Sequence, residues 1–295
     1  MTRLSTIQVE RPTSLGEALE WMAKAAERGQ PLRPMAGCTD IMVEAHYGKL
    51  AERRFIDLQP LRYELGELEW GDDRSLEPGS LEIGAMSTYA DLLRDPRACR
   101  ELPTLAMASS LIGATQIQAR GTFAGNVENG SPAADAVPVL MAMDARVRLQ
   151  SVRGLREIDL ADYYTGYRTN QRADDELIVA IAVPRQKVPV RCQYFRKVGT
   201  RAYQAITKVG LAARLDWRKD HIVSARVVAI SMGPTIQRCS RLETVLCGLR
   251  SLDEERREHL RDAQEDDVTP IDDVRSTAEY RNETFHRLIC HAVEA

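Results

Sequence analysis

The sequence predicts an α+β fold, and three observations carry that expectation. Its first part alternates short strand-like and helix-like segments. A polar, proline-bearing stretch at residues 184–191 then interrupts the pattern and predicts a domain boundary. Beyond it, three strand-like runs are followed by two charged, amphipathic stretches, which predicts a small antiparallel sheet with helices packed on it.

Taken in order, Ile7 and Val9 alternate with polar neighbours and predict a first strand. Ser14 and Glu17 have the spacing of a capping box, so a helix is expected over residues 18–27. A small-residue loop leads into a short helix after Thr39 or Asp40, and Phe55-Ile56-Asp57-Leu58 reads as the next strand. Residues 80–85 alternate as a strand, and Ser87 and Thr88 offer hydroxyl caps for another short helix. Residues 102–112, apolar and alanine-rich, predict a buried helix; residues 133–143 predict a further one and residues 145–149 a strand. Tyr163, Tyr164 and Tyr167 make an aromatic turn, followed by a strand at residues 176–183 that Pro184 ends. Past the boundary, residues 192–198, 205–215 and 222–232 supply the three-stranded antiparallel sheet, and residues 251–263 and 277–293 the helices.

The chemistry gathers in two loops. One is Gly121-Thr122-Phe123-Ala124-Gly125-Asn126, continued by Ser131-Pro132-Ala133-Ala134-Asp135. Small residues let main-chain N–H groups approach a polyanion, Thr122 and Ser131 bring hydroxyls, and Asp135 suits a ribose hydroxyl. Ordinary surface turns use the same residue types, so this loop alone divides evenly between turn and cofactor cradle. The second loop, Leu32-Arg33-Pro34-Met35-Ala36-Gly37-Cys38-Thr39-Asp40-Ile41, tips the balance, because two such loops can grip two ends of one nucleotide ligand.

Over 295 residues the composition is that of a globular chain, 44% hydrophobic and 28% charged. A net charge of −3 gives no general pull towards nucleic acid. No apolar run is long enough to span a bilayer and residues 1–10 lack a secretory pattern, so a cytoplasmic protein is expected. Six cysteines without a CxxC pair and five histidines without HExxH predict no metal site. Neither GxSxG, a Cys–His grouping nor paired acids are present, so no catalytic side chain is expected. Walker A and GxGxxG motifs are also absent. A bound cofactor that carries the chemistry fits such a chain.

The order of Ala36-Gly37-Cys38-Thr39-Asp40, Ile112-Gly113-Ala114-Thr115-Gln116-Ile117, the Gly121–Asn126 loop and Ser131–Asp135 resembles the FAD-binding medium subunits of molybdenum hydroxylases, the xanthine and carbon monoxide dehydrogenase group. Asp162-Tyr163-Tyr164-Thr165-Gly166-Tyr167-Arg168, Phe195-Arg196-Lys197 and Tyr280-Arg281 extend the resemblance over nearly the whole chain. It implies a two-part FAD-binding domain of the vanillyl-alcohol-oxidase type over residues 1–185, with subdomains 1–60 and 61–185, then a small α+β domain over residues 190–295. It further implies that the 32–41 loop and Thr122, Gly125 and Asn126 hold the FAD pyrophosphate. Asp135 would lie near the ribose, Ile112 and Gly113 by the isoalloxazine and Lys197 near the flavin edge, with Ser131 also among the cofactor-binding residues.

Two departures carry a physical cost. Cys38 replaces the second glycine usual in the first loop, and Ala124 the first glycine usual in the second. A positive backbone angle at either position would make the added Cβ cost about 1 kcal/mol. Ala205 stands where relatives often carry an acid, which bears on use of NAD as acceptor. By resemblance, the partners are a molybdenum-binding large subunit and an iron-sulfur small subunit, from which electrons reach FAD and pass to an external acceptor. The alternatives are a flavin-poor assembly subunit of such a complex and an independent flavin oxidoreductase.

Overall fold

In a computed structural model, which describes residues 7–71, 77–186 and 193–295, three larger sheets and one two-stranded hairpin organise the described residues. In the first, β1 (Gln8–Glu10) and β2 (Arg33–Met35) flank β3 (Arg54–Asp57) and run parallel to it. Parallel neighbours need crossovers, here α1 (Leu15–Glu27) and α2 (Thr39–His46). Helix α1 buries Ala18, Leu19, Met22 and Ala25, one stripe at helical spacing. The capping box expected at Ser14 and Glu17 is half formed. Ser14 Oγ accepts from the Glu17 N–H, but the Glu17 carboxylate turns back to the N–H and hydroxyl of Thr13 at 2.6 and 2.8 Å.

The second sheet is antiparallel throughout, in the order β4 (Leu68–Trp70), β5 (Leu81–Gly84), β10 (Leu177–Val183), β6 (Arg146–Ser151) and β7 (Gly154–Asp159). Its centre, β10, is an almost continuous apolar run because both its faces are covered. Around it lie the short helices α3 (Arg62–Leu65), α4 (Tyr89–Arg94), α5 (Pro96–Glu101), α6 (Pro103–Ser110), α7 (Thr115–Gln118), α8 (Phe123–Asn129) and α9 (Ala136–Ala142), and the hairpin of β8 (Tyr164–Gly166) and β9 (Thr169–Asn170). A complete capping box does occur, on α4, where Thr88 and Asp91 satisfy each other's backbone N–H groups.

The third sheet has four strands where three are expected: β11 (Gln193–Val198), β12 (Val209–Arg218), β13 (His221–Ile230) and β14 (Gln237–Arg238). The extra strand has only two residues, too few to show a period of two. Helices α10 (Ser240–Leu246), α11 (Glu254–Asp267) and α12 (Ala278–Glu294) cover one face. Val209, Leu211, Ala213 and Leu215 of β12 point into that helical core, while Ala212 of β12 and Val228 and Ile230 of β13 join the main core with α9. Both faces of this sheet are therefore buried. Asp144 locks the contact with Arg214 Nη2 at 2.9 Å and Arg226 Nε at 2.7 Å. The expected boundary at residues 184–191, and Cys192 of the first expected strand, fall largely outside the described residues. No described helix is long and apolar enough to cross a membrane.

Candidate functional site

The two small-residue loops meet. Gly37, after β2, lies so close to the Arg120 carbonyl that a Cβ built on it would overlap that oxygen. Gly121 packs in turn against Tyr89, where an added Cβ would stand 3.0 Å from the ring. Only glycine allows this backbone-to-backbone contact. What the sequence presents as a loop at Phe123 to Asn126 is the first part of α8: Thr122 caps it by accepting from the Gly125 N–H at 3.0 Å.

Alongside this junction runs a cleft of about 1490 Å³, more than the few hundred to 1,000 Å³ of an ordinary small-ligand pocket. Of the site residues expected from the sequence, all but Met35 and Lys197 line it. Met35 instead packs beside Ala45, Leu50 and Phe55 under α2. Helix α2 begins in the cleft wall at Thr39 without a side-chain cap, since Cys38 offers none. Its first N–H groups and its dipole favour an anion there. Cys38 has φ +61°, so the conditional cost of its Cβ is incurred; Ala124 sits in helical α8, where it is not. Asn126 Oδ1, buried in the cleft wall, has no partner among the described residues and suits a ligand donor.

Lys197 and Asp135 are joined to each other. Lys197 Nζ donates to Asp135 Oδ2 at 2.5 Å, and the Thr207 hydroxyl donates to Asp135 Oδ1 at 2.6 Å. Both carboxylate oxygens are thus engaged by the protein, and Lys197, its side chain 7% exposed, stands behind the wall and not in the cleft. Burial pushes the Asp135 carboxyl above its ordinary value, against the pull of Lys197 and Thr207. Lys197 Nζ also reaches the Leu111 carbonyl at 3.5 Å, just before Ile112 and Gly113. Gly113 has φ +51°, and a Cβ there would press on Ile117 at 2.7 Å.

At the rim, Arg33 pairs with Glu44 at 2.7 Å and Glu52 at 2.9 Å, and Arg168 with Glu44 at 3.3 Å. Burial raises the Asp40 carboxyl above its usual range, with Arg168 opposing and Glu44 reinforcing. Tyr163 and Tyr164 are structural: their hydroxyls donate to Glu128 at 2.9 Å and to the Val127 carbonyl at 3.0 Å, pinning the β8–β9 hairpin to α8. Tyr167 alone of the three lines the cleft. The far wall comes from the loops at the ends of the third sheet's strands, through Ile206 and Ser231, from the segment before α12, through Ile271 and Asp273, and from Arg281 in the first turn of α12. Long-range folding brings these in, and only Arg281 belonged to a motif that carried the resemblance.

A family model described as the FAD binding domain in molybdopterin dehydrogenase matches residues 5–186, and one described as the CO dehydrogenase flavoprotein C-terminal domain matches residues 193–295. The chain is 28% identical over 272 residues to the xanthine dehydrogenase FAD-binding subunit of Escherichia coli, covering 92% of this chain and 89% of that protein. It is 27% identical over 287 residues to the carbon monoxide dehydrogenase medium chain of Afipia carboxidovorans, covering 96% and 94%. Among solved structures, a chain of the Cu,Mo carbon monoxide dehydrogenase in its cyanide-inactivated form superposes with a TM-score of 0.86 at 25% identity, covering 98% of this chain and 96% of that one.

Proposed function

Because this chain belongs to the FAD-binding subunits of the molybdopterin dehydrogenase family, we propose that its cleft holds the FAD pyrophosphate between Gly37–Ile41 and Thr122–Asn126 and that the subunit relays electrons within a larger enzyme. The carrying observation is the junction of Gly37 with Arg120, which brings two backbones and the uncapped start of α2 to one side of a long cleft. Bound FAD supplies the electron-transfer chemistry that the chain's own side chains lack. The protein's share is binding and orientation. Helix α2 presents main-chain donors at its uncapped start, Thr122 fixes the first turn of α8, Asn126 offers an acceptor, and the Asp135–Lys197 pair braces the wall behind Ile112 and Gly113. Asp135, held by Lys197 and Thr207, acts on the ribose side through the Ser131–Asp135 backbone more than through its own oxygens.

Under this reading electrons arrive from an iron-sulfur subunit, substrate is oxidised on a molybdenum-binding large subunit, and an external acceptor, NAD being the candidate, takes the electrons away. A cytoplasmic setting suits the described cysteines, all of them free thiols. Purification from its native host should yield the chain together with molybdenum, iron and two further polypeptides, and the complex should reduce NAD or an artificial acceptor when given substrate. A lone yellow protein without either metal would instead support an independent flavin oxidoreductase. A colourless subunit of a metal-containing complex would support an assembly role.

A further inference from the structure

Arg281, in the first turn of α12, is 3% exposed and still lines the cleft. Burying a guanidinium is costly unless its donors are engaged, so its partners identify what it does. Nη1 donates to the Ser231 carbonyl at 2.7 Å and Nη2 is ion-paired with Asp273 Oδ1 at 2.7 Å, while Nη2 and Nε make no aligned hydrogen bond among the described residues.

Each partner holds a different part of the wall. Ser231 follows β13 with φ +60°, a left-handed conformation that a serine keeps only when its surroundings hold it there. Its N–H donates to the Pro132 carbonyl at 2.8 Å and its hydroxyl to the Thr207 carbonyl at 2.9 Å. Thr207 in turn donates to Asp135. Asp273 accepts from the N–H groups of Arg275 and Ser276 and shapes the turn that forms the cleft rim. A single side chain therefore joins α12, the rim turn, the end of β13 and, through Ser231, the Ser131–Asp135 loop of the other domain.

We propose that Arg281 is a positioning residue of the cofactor cleft: acting through Ser231 and Asp273, it fixes the C-terminal wall at one distance from the loop that carries Ser131 and Asp135. The inference rests on the reading that this cleft holds FAD. A fork with two separated nitrogens suits this site, because one hydrogen-bonds a carbonyl while the other is ion-paired with a carboxylate. Lysine keeps the charge, but its donors share one nitrogen, so it cannot place two donors as far apart as the guanidinium does.

Arg281→Lys and Arg281→Met in the full chain, titrated with FAD, test this. Both should weaken FAD binding about tenfold or more, the scale of one buried charged hydrogen bond, and should shift the absorption bands of the bound flavin. Lysine should restore thermal stability more than it restores affinity. Unchanged affinity and spectrum in both, whatever happens to the melting temperature, would make Arg281 a fold residue only and overturn the inference. Should Arg281→Met fail to fold, Asp273→Ala keeps the Ser231 arm and frees the rim turn, since it removes the acceptor for the Arg275 and Ser276 N–H groups; it too should weaken FAD binding, and wild-type affinity would count against the proposal. A wild-type chain that binds no FAD would remove the reading beneath the inference, an outcome distinct from variants that match a flavin-binding wild type.

Discussion

At the scale of single residues, the Asp135–Lys197 pair decides how the two halves of the cleft wall meet. Both side chains are buried, so removing one leaves the other charged and unpaired. Lys197→Met should cost about 3–5 kcal/mol by urea unfolding, and adding Asp135→Asn should recover part of it. The loss should depend on pH. Burial already holds Asp135 above its ordinary value, and loss of Lys197 raises it further. A group with a raised folded pKa contributes stability at low pH that is lost as pH rises through that pKa. The deficit of Lys197→Met should therefore be small in acid, where Asp135 is protonated folded and unfolded, and complete at neutral pH. At Cys38 the left-handed angle makes glycine the better residue: Cys38→Gly should raise stability by about 1 kcal/mol and tighten FAD binding, measured by thermal unfolding and titration. The meeting of the two loops was legible in their small residues, because glycine, serine and threonine advertise close backbone approach. The destination of Lys197 was not, because 62 residues separate it from Asp135 and nothing local records the pairing.

At the scale of elements, the cradle is a join between the turn leading into α2 and the turn leading into α8. Gly37→Ala should push these apart, since the new methyl meets a backbone carbonyl and cannot be relieved by a rotamer change. We expect a loss of about 3 kcal/mol and of bound flavin, read from the flavin-to-protein absorbance ratio. An alanine variant with full flavin content would show that the loops do not form the site. Strongly patterned elements could be read directly: the stripe of α1, the apolar run of β10 and the alternation of β12 and β13. Others gave no signal. Strand β7 is an edge whose residues are mostly exposed, β14 is two residues long, and α8 hides behind glycine and asparagine that suggest a loop. In α8 the Thr122 cap and tertiary packing of Phe123 and Val127 override weak local propensity.

At the scale of the whole molecule, the cleft depends on how the third sheet is used. Its period-two alternation sends one set of side chains to α10–α12 and the other to α9, so the C-terminal portion has no free face and forms the far wall of the site. The alternation was legible, but alternation cannot say that the second face is also buried, because small residues such as Gly210 and Ala212 occupy it in β12. The wall residues Ser231, Asp273 and Arg281 follow from that packing. Whether this cleft binds FAD is tested by flavin titration of the purified chain beside Gly37→Ala, followed by absorbance at about 450 nm, where oxidised flavins absorb. Saturable binding of one FAD per wild-type chain, with Gly37→Ala unable to retain it, is the expected result. A wild-type chain that takes up no flavin, or a variant that binds it equally well, would contradict the account.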